Sequence, residues 1–438
     1  MIPAWTEIEE SIRKADTIRP VGRVRNLVGM VIEVEGLAAP VGSLCRIHVG
    51  RNEPDVLSEV IGFRNDTLLV MPYQHTRGVA TGGRVDLVSR KMTVPVGPQL
   101  LGRVVDGLGR PLDGGPSLAG LARKALGGVP PAPLKRIRST EILGTGIRSI
   151  DSMITTGRGQ RMGIFSGSGV GKSILLGMLA RNAESEVNVL ALIGERGREV
   201  KEFLERDLGP EGLARSVVVV VTSDESAVLR AKGADTAMTI AESFRENDQS
   251  VLFMMDSATR YAMALREIGL AAGEPPTTKG YPPSVFAALP RLCERAGWSD
   301  INSMTAFFSV LIEGDDIQDP VGDAMRSILD GHIMLSRDLA RRHHYPAVDV
   351  LGSVSRLRND VVQAIDIEAG AQLMGWLKVL EDNRDLINIG AYVAGSDPIL
   401  DQALEKENEI RSFLTQGMLD GYSATESLSG LQQLTGIE

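Results

Sequence analysis

Between Val21 and Val96 the sequence consists of short runs in which apolar, often β-branched residues alternate with polar ones. GRVRNLVGMVIEVEG and SEVIGFRNDTLLVMP are two such runs. Alternation with a period of two predicts strands that are buried on one face, and the Gly, Asn and Asp residues between the runs predict tight turns. The segment RND between EVIGF and TLLVMP is a typical hairpin turn. We therefore expect a small N-terminal β-barrel.

From about Ile142 to Arg358 the pattern changes to short runs that are apolar throughout, separated by stretches with helical periodicity. The apolar runs are QRMGIFS, NVLALIG, SVVVVVT, SVLFMMD and TAFFSVLI. Strands that are apolar on both faces and separated by helices are typical of a parallel sheet covered on both sides. After Asp360 the pattern is that of amphipathic helices.

These patterns predict four regions. Residues 1–20 form a short polar arm that binds a partner, residues 21–96 the β-barrel, residues 97–360 an α/β domain, and residues 361–438 a helical domain. The segment Val96–Pro116, rich in Gly and Pro, reads as an ordered connector. Gly127–Arg136 is expected to be extended because its prolines exclude a helix, and it marks entry into the second domain.

Composition narrows the class of protein. No run of eighteen apolar residues is present and the N-terminus lacks an apolar signal core, so we expect a cytoplasmic protein. A net charge of −9 and an aromatic content of 4% argue against a nucleic-acid partner, which needs a basic face or stacking platforms. Cys45 and Cys293 lie far apart in the sequence and suit a reducing compartment.

The stretch FSGSGVGKS, Phe165–Ser173, lies between a predicted buried strand and an amphipathic helix. That is the context in which the pattern G-x-x-x-x-G-K-[ST] binds phosphate. Lys172 is expected to reach the β- and γ-phosphates, and the Ser173 hydroxyl to ligate Mg²⁺. Ser166 stands where the pattern has its first glycine, and the cost is small if φ stays negative there. The backbone groups of the loop are expected to bind nucleotide: Gly167, Ser168, Gly169, Val170 and Gly171.

Two carboxylates follow predicted strands. Asp256 ends SVLFMMD and is a candidate Mg²⁺ ligand, although it is also placed to cap the next helix. Glu195 ends the strand after the phosphate-loop helix, where strand ends gather around a ligand, and is a candidate for activating water. A solvated glutamate in a charged turn is the alternative. Arg196 follows and is placed to steady Glu195 or a phosphate oxygen.

Phosphoryl-transfer enzymes often receive an arginine from a neighbouring subunit. Composition alone does not choose among the candidates: Arg260, Arg337, Arg341, Arg342, Arg356 and Arg358.

Six ordered motifs together resemble the type III protein-export ATPases of the bacterial flagellum. They are GIFSGSGVGKS, ALIGERGREV, MMDSATRYA, GEPPTTKGYPPSVF, VLIEGDDIQDPVGD and HYPAVDVLGSVSR. This family is similar to the injectisome ATPases and to the catalytic subunits of rotary ATP synthases. The resemblance runs from about Val21 to about Gln416. It implies a RecA-like P-loop ATPase core between a small β-barrel and a C-terminal helical domain, with ATP and Mg²⁺ as cofactors. Those synthase subunits have Gly at the position of Ser166, whereas the export branches commonly have Ala or Ser.

The resemblance also implies roles for individual residues. Glu195 matches the water-activating glutamate and Asp256 the Walker B aspartate, while Ile174 adds a backbone N–H toward the α-phosphate. Arg196 and Arg260 match arginines that sense the γ-phosphate.

Of the remaining arginines, Arg356 matches the finger that enters the neighbouring site, and Arg337 is then expected to be structural.

Tyr345 matches the aromatic residue that packs on adenine, an ordinary buried tyrosine being the alternative. Met418 lies near the place of a second aromatic residue in synthases, which leaves nucleotide selectivity in question. His343 and His344 are expected to be polar surface rather than metal ligands.

Family partners would be a homohexameric ring of this chain, stator and stalk export proteins, chaperone–substrate complexes and the export gate at the inner membrane. The location implied is the cytoplasmic side of that membrane at the flagellar base, and the loop Gly273–Phe286 would face the channel of the ring. No nucleic-acid partner is expected.

Three alternatives stay open. An injectisome ATPase is the nearest. A non-catalytic ring subunit typically lacks the glutamate that Glu195 matches, and a hexameric RNA translocase fits poorly with the acidic charge.

Overall fold

The computed structural model describes residues 20–50, 53–312 and 319–437. The partner-binding arm predicted for residues 1–20 therefore lies outside the described residues except for Pro20. By residue contacts the chain divides into two compact units. The first holds the residues up to Met92 with Ser226–Val228 and Ile268–Glu274, and the second holds Thr93–Glu225, Leu229–Glu267 and Pro275–Glu438.

The first unit contains a closed six-stranded barrel with the strand order β1-β2-β5-β4-β3-β6. All neighbouring strands are antiparallel, and a core of Val, Ile and Leu side chains with Cys45 fills the interior. Asn65 and Asp66 have positive φ and form the predicted hairpin turn. The bounds are β1 Val21–Val28, β2 Val31–Glu35, β3 Leu44–Ile47, β4 Val56–Arg64, β5 Thr67–Pro72 and β6 Arg84–Ser89.

The second unit is built on a nine-stranded sheet with the order β17-β16-β10-β15-β13-β11-β12-β8, to which β14 adds at β15. All pairings are parallel except those of β14 and β17. The bounds are β8 Val104–Val105, β10 Arg161–Ser166, β11 Val187–Glu195, β12 Ser216–Thr222, β13 Val251–Asp256, β14 Gly297–Trp298, β15 Ser303–Leu311, β16 Gly331–Leu335 and β17 Val348–Ser355. The central strands are buried along nearly their whole length, as continuous apolar runs predict.

Helices alternate with these strands and then make up the C-terminal region. Those of the sheet region are α1 Arg148–Met153, α2 Lys172–Asn182, α3 Gly197–Glu202, α4 Gly209–Ala214, α5 Ala227–Glu246, α6 Ala258–Ala272, α7 Pro283–Cys293, α8 Pro320–Ile328, α9 Arg337–Arg341 and α10 Arg358–Val361. A π-helix, Phe203–Leu208, joins α3 to α4. The C-terminal helices are α11 Ala364–Asp382, α12 Arg384–Asn388, α13 Pro398–Leu414 and α14 Ala424–Thr435.

Three local predictions differ from the structure. The strand β7, Thr93–Val96, was expected to belong to the barrel, but it pairs with β9, Ala122–Ala125, in a separate two-stranded sheet. The extended segment Gly127–Arg136 contains a 3-10 turn at Pro133–Lys135, because proline is accepted in the first turn of a helix. The loop Gly273–Phe286 includes a 3-10 turn at Thr278–Gly280 and the beginning of α7.

The fold class predicted from the sequence is confirmed: an α/β core built on a mostly parallel sheet, an N-terminal β-barrel and a C-terminal helical region. The domain boundaries stay predictions. Among the described residues no helix has the length and apolar character needed to cross a bilayer.

Candidate nucleotide site

The predicted phosphate loop joins the carboxyl end of β10 to the N-terminus of α2. Gly169 and Gly171 have φ of 78° and 92°, a backbone conformation that L side chains rarely adopt. Gly171 is the N-cap of α2 and supplies no side-chain cap, so the first N–H groups of the helix are available to an anion. Ser166 is the buried last residue of β10 and is not among the residues with positive φ. A serine is therefore accommodated where the pattern has glycine.

A cavity of about 1020 Å³ opens beside this loop. It brings together most of the sequence-predicted site residues, which come from the ends of different strands. The predicted residues that line it are Gly167, Ser168, Gly169, Gly171, Lys172, Ser173, Ile174, Glu195, Arg196 and Arg260. Val170 does not line it, because its side chain is buried in the core between sheet and helices.

Lys172 forms the electrostatic centre of the site. Its ammonium group makes a short ion pair with Asp256 and lies 3.8 Å from Oε1 of Glu195. The Ser309 hydroxyl donates a hydrogen bond of 2.6 Å to Asp256 and holds that carboxylate in place. Parallel pairing of β11 with β13 puts Leu192 opposite Asp256, so Glu195 lies three residues further along β11, and both carboxylates approach the Lys172 ammonium. The sequence placed each carboxylate at a strand end, and the sheet order makes them neighbours.

Glu195 has the electrostatics of a group that exchanges a proton near neutral pH. Burial first, and then the charge of Asp256, raise the pKa of its carboxyl, while Lys172 and Arg260 lower it, and the net result is a pKa of about 7. Its Oε1 is buried and accepts no hydrogen bond from any described residue. Leaving a buried acceptor unsatisfied costs about 1–3 kcal/mol, so such an atom is a candidate for contact with a ligand or water.

Arg196 and Arg260 occupy different environments in the cavity. Arg196 is largely exposed and forms an ion pair of 2.9 Å with Glu199. Arg260 has a buried Nε that donates to none of the described residues. Its side chain passes close to Gly194, where an added Cβ would lie 3.0 Å from the Cβ of Arg260. Because Gly194 also has φ of 75°, glycine is required there on both steric and conformational grounds.

Tyr345 lies at a second, smaller cavity of about 260 Å³, which also contains Ile174 and Met418. Its ring carbons lie 3.6 and 3.7 Å from where a Cβ on Gly171 would be, so the ring is next to the phosphate loop. The side chain is not buried, which excludes the alternative of an ordinary core tyrosine. The described lining is mainly apolar and suits a flat aromatic group.

Several residues that sequence reasoning did not assign to the site also line the larger cavity. Arg337, expected to be structural, is among them, together with Arg266, Lys279, Tyr281 and Asp319. The signal for Arg337 was its position directly after β16, the strand that pairs with β10. Lys279 and Tyr281 come from the Pro-rich loop, for which the sequence predicted a different role. The Arg266 guanidinium stacks 5.1 Å from the ring centre of Tyr281.

Arg356 is not brought to this cavity. It follows β17 at the level of Gly331, whereas the phosphate loop follows Ser166, which pairs with Leu335 at the other end of β16. Arg356 and Gly167 each lie one residue beyond these pairs, so the separation along the strands is six residues, about 20 Å at 3.3 Å per residue. Arg356 is exposed, and the hydrogen bond that its guanidinium makes within the described chain is a long one of 3.4 Å to the Arg326 carbonyl. Within one chain it therefore cannot reach the phosphate loop.

Two other candidate arginines, Arg341 and Arg358, have partners within the chain. Arg358 donates to the carbonyls of Ser152 and Asp366, and Arg341 pairs with Asp338 at 3.2 Å. These contacts indicate structural roles.

The residues of the larger cavity fit a nucleotide with Mg²⁺. Ser173 is exposed and lines the cavity, whereas Asp256 does not line it but is paired with Lys172, which does. No cluster of three or more His, Cys, Asp or Glu side chains able to hold a metal occurs in the described parts of the chain. A Mg²⁺ ion bound with phosphate needs none, since one or two protein oxygens, waters and phosphate oxygens complete its octahedron.

Comparison with protein families matches three consecutive parts of the chain. Residues 24–87 match the β-barrel domain of the ATP synthase alpha/beta family, and residues 146–355 match its nucleotide-binding domain. Residues 362–433 match the C-terminal domain of the type III secretion ATPase EscN.

Full-length relatives agree with these matches. The flagellum-specific ATP synthase of Bacillus subtilis is 48% identical over 98% of this chain and 98% of that protein. The type 3 secretion system ATPase of Xanthomonas euvesicatoria is 45% identical over 99% and 97%. The chain belongs to the ATP synthase alpha/beta family, in the branch that contains the flagellum-specific and type III secretion ATPases. The resemblance predicted from the motifs is confirmed, and the chain is an ATPase.

Solved structures show the same similarity. The assembled ATPase EscN of enteropathogenic E. coli superposes with a TM-score of 0.88 at 41% identity, over 94% of this chain and 100% of that one. EscN in complex with its central stalk EscO gives a TM-score of 0.87 at the same identity and coverage.

Proposed function

We propose that this chain is a Mg²⁺-dependent ATPase that drives export of flagellar proteins through the type III export apparatus and releases the exported proteins from their chaperones. The observation that carries the catalytic part is the cavity geometry around Glu195. There a buried carboxylate oxygen that accepts no hydrogen bond from the described residues lies 3.8 Å from the ammonium of the phosphate-loop lysine. The flagellar assignment is supported by the identity to flagellum-specific relatives.

The phosphate loop binds the triphosphate. Backbone N–H groups from Gly167 to Ile174 and the N-terminus of α2 face the phosphates, and Lys172 neutralises the β- and γ-oxygens. Since Lys172 pairs with Asp256 in the structure, its ammonium has to turn toward the phosphates when they bind. Ser173 and Asp256 would hold Mg²⁺, which supplies charge neutralisation at the β- and γ-phosphates. Tyr345 packs on the base in the smaller cavity.

Glu195 orients the attacking water and accepts its proton. A base with a pKa of about 7 is efficient at neutral pH because a large fraction is ionised while proton affinity stays high. Arg196 and Arg260 contact the γ-phosphate oxygens. The buried Nε of Arg260 has no acceptor among the described residues and is available for this contact. Each arginine then stabilises charge that develops in the transition state.

Arg356 completes the site of a neighbouring protomer. It lies about 20 Å along the strands from its own phosphate loop, so a catalytic role requires a second copy of the chain. The related ATPase EscN is described as assembled and as bound to a central stalk. By analogy this chain forms a homohexameric ring whose sites lie between protomers, and a stalk protein enters the ring.

Further partners follow from the same branch of the family. They are a stator protein, chaperone–substrate complexes and the export gate, with the enzyme peripheral to the inner membrane at the flagellar base. No nucleic-acid partner is proposed.

The test is specific ATPase activity measured against protein concentration, with and without the candidate stalk protein. A site shared between protomers predicts that activity per chain rises with concentration and that the stalk shifts the rise to lower concentration. Activity that stays proportional to protein from nanomolar to micromolar, with a monomer seen by light scattering throughout, would refute the shared site.

An injectisome role is the second candidate, because relatives of that class reach 45% identity. Deletion of the gene distinguishes the two. Loss of filaments with normal effector secretion supports the flagellar assignment, and the reverse supports the injectisome.

A further inference from the structure

Gln160, immediately before β10, is fully buried and uses its whole side-chain amide in hydrogen bonds. Its Oε1 accepts from the Gly157 N–H at 2.8 Å. Its Nε2 donates to the carbonyl of Asp330 at 3.2 Å and to the hydroxyl of Ser355 at 3.0 Å. A buried amide with all its groups paired is a rigid connection, because losing any one bond leaves an unsatisfied polar atom.

The two groups to which Gln160 donates are both directly connected to the backbone at Arg356. Ser355 directly precedes Arg356, and its hydroxyl donates onward to the Thr155 carbonyl at 2.8 Å. The Asp330 carbonyl accepts the Arg356 backbone N–H at 3.0 Å as well as the Gln160 amide. The backbone is therefore held at the Arg356 N–H and at the residue before it, while the Arg356 side chain stays exposed.

Asp330 is itself fixed by the residue that follows Gln160. The Arg161 guanidinium binds both carboxylate oxygens of Asp330, each at 2.9 Å, and the Arg161 backbone N–H adds a third bond of 3.1 Å. Two parallel charge-assisted bonds fix orientation as well as distance. Both side chains are mostly buried, so water competes little for these bonds.

We propose that Gln160 is a positioning residue for Arg356: it fixes the direction in which the guanidinium leaves the sheet toward the neighbouring protomer's phosphates. The proposal rests on the role of Arg356 stated under the proposed function. An exposed arginine on a free backbone would sample many directions, and a misplacement of about 1 Å at a reacting centre costs about 100-fold in rate. Gln160 acts at a distance from its own cavity, since the phosphate loop is at the far end of β10.

The first experiment removes the connection at either end in the assembled enzyme. Gln160→Met keeps the shape and loses all polar bonds, and Ser355→Ala loses only the hydroxyl. Each is expected to lower kcat of the ring about 10- to 100-fold with KM for ATP unchanged. Ser355→Thr keeps the hydroxyl and should restore kcat.

Ser353→Ala is the matched control on the same strand. Its hydroxyl donates to the Asp349 carbonyl and accepts from the Met334 N–H, neither of which contacts Arg356. It should keep kcat within about two-fold. An equal loss in Ser353→Ala and Ser355→Ala, or a loss expressed in KM, would contradict the proposal. Thermal unfolding of each variant shows whether a loss of rate reflects a loss of folded protein.

The second experiment mixes variants as monomers and then concentrates them into rings. Gln160→Met protomers keep an intact cavity and Glu195→Gln protomers keep an intact Arg356. If Gln160 acts through Arg356, the mixture is more active than the sum of the two variants assayed separately. The reason is that the intact cavity of a Gln160→Met protomer then receives Arg356 from a Glu195→Gln neighbour.

Arg356→Ala mixed with Glu195→Gln is the reference for that result. Recovery in the reference but not with Gln160→Met would overturn the positioning role alone and place the effect of Gln160 in its own cavity. No recovery in the reference would overturn the shared site itself, and with it this inference.

Discussion

The two edges of the central sheet are organised in opposite ways. At the carboxyl edge, Glu195 and Arg260 have buried polar atoms without a hydrogen-bond partner in the described chain. The Lys172 ammonium there lies close to two carboxylates, those of Asp256 and Glu195. At the opposite edge, Gln160 and Asp330 have their hydrogen-bonding groups matched, and the Arg356 side chain is exposed.

This difference indicates two kinds of work. Unsatisfied groups are costly in the free protein and gain most when a ligand arrives, so the carboxyl edge is built to change partners. Satisfied, buried networks resist displacement, so the opposite edge is built to hold a direction. In a ring that places the carboxyl edge of each protomer against the opposite edge of its neighbour, every site would contain groups that change partners and an arginine held in a fixed direction.

The largest effect should come from the opposite edge. Arg356→Ala is expected to lower kcat of the assembled ring about 10⁴-fold, since an arginine from a neighbouring subunit contributes 10³–10⁵ in comparable enzymes. Nucleotide affinity should change little, because the phosphate loop is intact. Steady-state hydrolysis at a saturating protein concentration, with binding followed by a fluorescent nucleotide, measures both. Full turnover in a ring of normal size would show that another arginine serves the site.

At the carboxyl edge, Glu195→Gln should lower kcat about 10³-fold, within the range for loss of a general base. ATP binding should be retained or tightened, since the amide removes a negative charge from the cavity. Single-turnover hydrolysis and equilibrium binding test the two parts. Unlike Arg356→Ala, this variant should leave a wild-type neighbour's site active in mixed rings.

The pH dependence of kcat/KM sharpens the same comparison. Glu195 must be ionised to accept a proton, and burial raises its pKa to about 7, so activity rises with pH through that value. Between pH 8 and pH 6 the ionised fraction, and with it kcat/KM, should fall about tenfold. The residual activity of Glu195→Gln, assayed across the same pH range, shows how much of the pH dependence comes from ionisation of the substrate rather than of Glu195. An identical slope in both proteins would exclude Glu195 as the titrating base.

The smallest effect is expected at Gly194. Gly194→Ala forces a side chain into a backbone with φ of 75° and against Arg260, which should destabilise the protein by about 1–3 kcal/mol. Gly197→Ala is the control, since its Cβ would meet only Thr222 at 4.0 Å and it lies in a helix. Denaturant unfolding compares the two. Equal stability of both variants would show that the Gly194 backbone relaxes freely.

Features that depend on neighbours in the chain were predictable from the sequence. The phosphate loop was recognisable because a strand, three glycines and a helix follow one another within the Phe165–Asn182 segment. The alternation in the barrel and its hairpin at Asn65 and Asp66 are local in the same way. The carboxylates Glu195 and Asp256 were found because strand ends mark the ligand side of a parallel sheet.

Features that depend on the order of strands in the sheet were not predictable from the sequence. Arg337 and Arg356 both follow strands near the C-terminal side of the sheet, and the sequence does not say which end of the sheet each reaches. The structure shows Arg337 at the cavity because β16 is parallel to β10, and Arg356 at the far edge because β17 is antiparallel. Gln160 carried no sequence signal at all, since two of its three partners, Asp330 and Ser355, are distant in the sequence.

By itself the sequence determined that this protein has a phosphate-binding loop, an α/β core and two flanking regions, because periodicity and turn chemistry are local properties. The tertiary structure alone decided which buried polar groups lack a hydrogen-bond partner and which are held in place by hydrogen bonds. Desolvation and hydrogen bonding depend on the atoms that surround a group in space, and parallel strands bring those atoms from distant parts of the chain.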